Sequence, residues 1–263
     1  LVASQYENAV SWLFAADRLY QLPLGVVGIA VGIVLLPELS RRLQAGDDEG
    51  AKSALSRAAE ISLALTIPSA IALMVIPLTL ISVLFERGAS GADDSAAIAT
   101  AVMIYGLGLP AFVLQKIVQP IYFAREDTKR PFYFAVVAMI VNAALAVGLA
   151  PWAGWLAPAI ATTVAGWAMY AQLVWGARGF GDAARVDARF RKRIWRIITA
   201  AIVMGAALWL ANIQLSTLLA TPWWRGLGLL ILVSIGAVAY FGAGQLLGAF
   251  KLSEFKSAMR RGG

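Results

Sequence analysis

The sequence predicts an all-α polytopic membrane protein with about seven transmembrane helices. Three observations predict it. Hydrophobic residues make up 60% of the 263-residue chain and charged residues only 14%, against about 45–50% and about 25% in soluble globular proteins. Seven stretches approach the roughly 20 apolar residues needed to cross about 30 Å of hydrocarbon. Lysine and arginine also alternate sharply from one connection to the next. Backbone groups in lipid must be satisfied within the chain, and runs this long lack the alternation of barrel strands, which leaves helices.

The first span covers residues 19–36 and the second 61–85. A third runs from 96 to 115 and continues past Lys116 to 124. Residues 132–150 and 155–177 follow. The run 197–224 is too long for one crossing, so it is expected to end near Asn212, with a short outer loop through Pro222. The last span covers 226–250. Between spans one and two lie Arg41, Arg42, Lys52 and Arg57. Arg125, Lys129 and Arg130 separate the third from the fourth. The connection 178–196 holds Arg178, Arg185 and the run Arg189-Phe-Arg-Lys-Arg-Ile-Trp-Arg196. The tail adds Lys251, Lys256, Arg260 and Arg261. The opposite side has only Arg87 and Arg225, plus Arg18 at the mouth of the first span. Basic residues favour the cytoplasmic side, so these connections and the C-terminus are expected there.

Residues 179–196 form the one internal boundary, a polar, basic linker at the cytoplasmic surface. Such a cluster grips anionic membrane lipids, at about 1 kcal/mol per basic residue near the surface. Nucleic-acid binding does not fit a run that abuts a span and lacks a folded reading module. The chain has no cysteine and no histidine. That removes disulfides, thiolate nucleophiles, the usual zinc ligand set and histidine acid–base catalysis. No paired carboxylates sit within a span, so a proton relay is unsupported. The expectation is no enzyme, no catalytic residue, no metal and no cofactor. The chain starts at Leu1 without a basic-then-apolar leader and reads as part of a longer protein.

Candidate functional residues concentrate in the first span. Asp17 and Arg18 enter it, and Arg18, Gln21, Gly25, Gly28 and Gly32 recur at steps of three and four, placing them on one helical stripe. Small residues let another backbone approach, so this stripe is expected to face protein instead of lipid. Two readings of Arg18 stand side by side. It snorkels to the interface and pairs with Asp17, or it lines a polar cavity and meets an anionic substrate, which would justify the cost of an intramembrane cation. Lys116, between Pro110 and the pair Gln119-Pro120, divides in the same way between a snorkelling cation and a cavity-lining one. Pro68, Pro77, Pro110 and Pro120 favour kinks. Trp152, Trp155, Trp167, Trp175, Trp195, Trp209, Trp223 and Trp224 suit an interfacial belt. Glu86, Asp93 and Asp94 read as a solvated outer loop.

Four motifs carry a family resemblance. The segments ADRLYQLPLG (16–25), LLPELSR (35–41), LFERG (84–88) and YFAREDTKRP (122–131) resemble, in order, those of the MurJ/MviN lipid II flippases of the multidrug/oligosaccharidyl-lipid/polysaccharide exporter superfamily. The last two spans match mainly by hydropathy. The resemblance implies fourteen spans, as two six-helix lobes facing a central cationic cavity, then two helices forming a lipid groove. This chain would be the second half. Residues 1–178 would be five helices of the second lobe, 179–196 the linker and 197–263 the groove pair, with the N-terminal lobe missing.

The resemblance further implies translocation of lipid II, the undecaprenyl-pyrophosphate-linked peptidoglycan precursor for the cell wall, across the bacterial cytoplasmic (inner) membrane by alternating access. Arg18 would contact the pyrophosphate, with Asp17, Gln21 and Lys116 completing the site. Gln21 stands where some members have an acidic residue. Export of another lipid-linked oligosaccharide or of drugs, or a non-transporting scaffold for cell-wall enzymes, are the other readings.

Overall fold

The computed structural model describes residues 2–85, 92–221 and 223–249. Glu86, Arg87 and most of LFERG lie outside the described residues, as do Pro222, Phe250 and the basic tail. Among the described residues the elements are helical throughout. Helix α1 (Ala9–Ala30) passes through one wide turn at Val31–Leu35 into α2 (Leu36–Gln44). Then follow α3 (Asp48–Val75), α4 (Pro77–Phe85), α5 (Ala92–Phe123), α6 (Lys129–Ala153), α7 (Ala157–Ala177), α8 (Ala188–Gln214), the short α9 (Ser216–Ala220) and α10 (Arg225–Leu246).

Six helical runs are long and apolar enough to cross a membrane, and the longest of them, Lys129–Gly181, spans 53 residues. It is a hairpin. Gly154 adopts φ +55°, a left-handed conformation open to glycine at little cost, and turns α6 back along α7. Asn142 Nδ2 then donates to Thr162 Oγ1 at 3.1 Å across the pair. Its two arms contain 25 and 21 residues, each enough for one crossing. Among the described residues the membrane-length segments are therefore seven.

The boundaries depart from expectation at three places. The first helix begins at Ala9 instead of near Leu19, so Asp17 and Arg18 sit more than two turns inside it. Apolar residues continue upstream of the charges, and Trp12 fixes this end by donating from Nε1 to Asp94 at 2.8 Å and meeting Trp155 edge-on at 5.1 Å. Asp94 is accordingly an interhelical acceptor and not part of a freely solvated loop. The second span breaks at Ile76, where Pro77 lacks the N–H needed to continue the ladder; Pro68, Pro110 and Pro120 stay inside their helices. Residues 188–196 of the basic connection are helical and form the first turns of α8, capped by Asp187, whose Oδ1 accepts from the Phe190 N–H at 2.6 Å.

Helix α5 is the hub, packing on α1, α3, α4 and α7. Its seam with α7 is a row of side-chain bonds to backbone carbonyls. Thr163 Oγ1 donates to Ile104 O at 2.9 Å, Trp167 Nε1 to Leu107 O at 3.0 Å, Gln115 Nε2 to Gly166 O at 2.7 Å, and the Tyr122 hydroxyl to Leu173 O at 2.6 Å. Polar side chains joined across helices are the usual substitute for a hydrophobic drive inside lipid. The Trp167 indole serves this seam as well as any interfacial role. Helices α8 and α10 pack on one another, and α8 lies along α3. The Tyr240 hydroxyl on α10 also reaches Ala64 O on α3 at 2.6 Å.

Part of the basic run is consumed by this packing. Arg193 and Glu60, both buried, form an ion pair between α8 and α3, and Arg189 approaches the same carboxylate at 3.8 Å. The Asp187 N–H donates to Ser56 Oγ at 2.9 Å beside them. Arg193 is thus taken up by protein, while Arg189 stays about half exposed beside the same carboxylate.

Candidate substrate-binding face

Arg18, Gln21 and Gly25 all lie on the exposed side of α1. Within this chain the stripe is only partly covered: a β-carbon at Gly25 would meet nothing within 4 Å, whereas one at Gly28 would meet Lys116. Of the two readings of Arg18, the pairing with Asp17 is not the direct contact formed. Asp17 accepts a hydrogen bond from Gln21 Nε2, one turn along the helix, and Arg18 is left to lie over the Phe14 ring, with Cζ 4.6 Å from the ring centroid. Spacing explains the switch. Residues four apart share a face, whereas neighbours such as Asp17 and Arg18 diverge by about 100°.

Stacking on Phe14 holds one face of the guanidinium while its N–H edge stays available. The Asp17–Gln21 bond occupies part of the nearest carboxylate. Arg18 is thus a cation on an open helix face, lying over an aromatic ring and without a direct hydrogen bond to Asp17.

Lys116 enters the same face from α5. Its aliphatic chain passes over Gly28, where a β-carbon would lie 3.2 Å from Cδ, 3.4 Å from Cε and 3.8 Å from Nζ. Glycine leaves room at this crossing for the lysine stem, which a larger side chain would displace. The ammonium remains exposed. Ten residues separate Arg18 from Gly28, about 15 Å of helix. The structure therefore brings Asp17 and Gln21 together and seats Lys116 on α1, but keeps Arg18 and Lys116 as separate stations along one surface. Sequence reasoning passed over Phe14, whose position four residues before Arg18 was the available signal.

Residues 1–234 match the family profile of the lipid II flippase MurJ. The chain belongs to the MurJ family. A probable lipid II flippase MurJ from Rhizobium meliloti (strain 1021) is 42% identical over 268 residues, covering 99% of this chain and 49% of that protein. Another from Rhizobium tropici is 39% identical with the same shares. One from Vibrio cholerae is 32% identical across 95% of this chain and 48% of the relative. The chain thus spans about half the length of the curated MurJ relatives it matches. A solved lipid II flippase MurJ in an inward closed conformation superposes with a TM-score of 0.77, covering 93% of this chain and 48% of that one, at 24% identity. That likeness concerns the fold. The all-α architecture and the expected half of a two-lobe MurJ fold agree with it.

Proposed function

We propose that this chain supplies the second-lobe helices and the terminal helix pair of a flippase that moves lipid II across the bacterial cytoplasmic membrane. The observation that carries the reading is the exposed face of α1 and α5, where Arg18 lies over Phe14 and Lys116 lies over Gly28. Two membrane-embedded cations facing out of the chain are costly unless something polar covers them. A first lobe, the part of the relatives that this chain does not match, encloses them in a shared aqueous cavity.

In that cavity the free N–H edge of Arg18 donates two parallel charge-assisted bonds to a pyrophosphate oxygen pair. Gln21, with Asp17 holding it, shapes the polar surface beside that site, and Lys116 offers a second cation farther along. Rocking of the two lobes exposes the site to each side in turn. The undecaprenyl tail stays in lipid along α8 and α10, the proposed groove pair after a division at residues 179–196. No bond is made or broken, so the chain acts as a transporter and not an enzyme. The bias of basic residues puts the α2–α3 connection and the C-terminus in the cytoplasm.

The test is lipid II translocation by full-length protein carrying Arg18→Ala. A loss of at least tenfold at unchanged expression supports the reading. Wild-type translocation by that variant would sink it.

A further inference from the structure

The basic run at the start of α8 is divided between two faces of the helix. Arg189 and Arg193 turn toward α3 and Glu60, and Arg196 Nη1 donates to Gly248 O at 3.2 Å. Arg191 and Lys192 are exposed, and their side chains make no ion pair or hydrogen bond with a described residue. With Ala188, Ile194, Trp195 and Ile198 they line a cleft of about 460 Å³ on the outer side of the helix.

We propose that this cleft is a binding site for an anionic phospholipid, with the phosphate held by Arg191 and Lys192. The order of chemistry along the helix matches such a molecule from head to tail. The cations come first. Trp195, 69% exposed, follows within one turn, at the level where amphipathic rings settle between head groups and chains. Ile198 and the exposed Ile202 continue the same surface into the apolar part of α8. From Arg191 to Ile198 the rise is about 10 Å, enough to pass from a phosphate to the upper acyl chain. An undivided cationic surface would attract any polyanion, but this one grades within two turns into isoleucine, which selects for a ligand with an acyl chain. Neither Arg18 nor Lys116, the cations proposed for the transported pyrophosphate, lines this cleft.

The full-length protein is reconstituted in phosphatidylcholine nanodiscs containing a minor fraction of brominated phosphatidylglycerol or, in a matched set, brominated phosphatidylcholine. Quenching of Trp195 is read as the difference between wild type and Trp195→Phe. Each basic residue at an anionic surface favours occupancy about fivefold, so anionic lipid is expected to quench several-fold more than zwitterionic lipid. Arg191→Gln with Lys192→Gln should abolish that preference. Helicity should be unchanged, because neither side chain contacts a described residue through a polar bond. Equal quenching by the two lipids overturns the proposal, and so does a preference that survives the double substitution. Displacement of the brominated anionic lipid by millimolar inorganic phosphate would assign the cations to a free anion instead, and also overturns it.

Discussion

Lys116 of α5 lies across Gly28 of α1, with its Cδ 3.2 Å from the position a β-carbon would take. The contact joins a candidate substrate-binding cation to the helix that carries Arg18. It also separates stability from transport, because glycine in a helix interior is unfavourable by about 0.8–1 kcal/mol relative to alanine.

Gly28→Ala is expected to keep or slightly raise the thermal midpoint, since the neighbour that must give way is the flexible stem of a lysine. Gly28→Leu is expected to displace the lysine altogether and lower lipid II translocation by the full-length protein at least as much as Lys116→Ala. Thermal unfolding and a translocation assay on the same preparations check both. If Gly28→Leu transports normally, the seat for Lys116 is irrelevant to transport.

Phe14 lies under the Arg18 guanidinium. An exposed cation–π contact is worth about 0.5–1 kcal/mol, so Phe14→Leu should reduce transport about two- to fivefold. Arg18→Lys should cost more, because an ammonium cannot present the planar fork of a guanidinium. The ranking Arg18→Lys below Phe14→Leu below wild type is the expected outcome, and the reverse order would dismiss bidentate phosphate contact.

The buried pair Glu60–Arg193 ties α8 to α3. Removing one partner of a buried pair costs about 3–5 kcal/mol. Glu60→Ala should therefore lower the unfolding midpoint in detergent far more than Lys52→Ala, which removes a surface ion pair with Glu49 in the first turns of the same helix. Replacing both partners, as Glu60→Leu with Arg193→Met, should recover most of the loss, because it leaves no buried charge unpaired. Failure of the double variant to recover would mean that the pair matters for more than its charge balance.

The helices were legible because crossing a bilayer demands about 20 apolar residues, and α5, α6, α7 and α10 have few competing signals. The start of α1 was hidden because the apolar run was read only after Arg18. What extends the helix is a contact between Trp12 and Asp94, 82 residues apart, with no local pattern to announce it. Glu60 sits just before a predicted span and the arginine run just before another that is expected to start on the same side, so their meeting was available in outline. Which arginines turn inward depends on the rotation of α8 against α3. The site was half legible in the same way. Helical spacing gave Arg18 and Gln21, while the Lys116–Gly28 seat joins residues 88 apart in the chain.

Orientation rests on basic-residue bias, and the absence of cysteine makes it directly measurable. A cysteine introduced at Gln44, on the exposed end of α2, is expected to react with a membrane-impermeant maleimide only after cells are permeabilised. One introduced at Trp152, 89% exposed at the end of α6, should react in intact spheroplasts. These two sites lie at the ends of segments separated by an odd number of crossings, from α3 with α4 through α5 and α6. Seven crossings in the chain therefore require opposite labelling. Labelling of both from one side would remove a crossing and reverse the assignment of every connection after it, placing the α8 cations and the C-terminus outside.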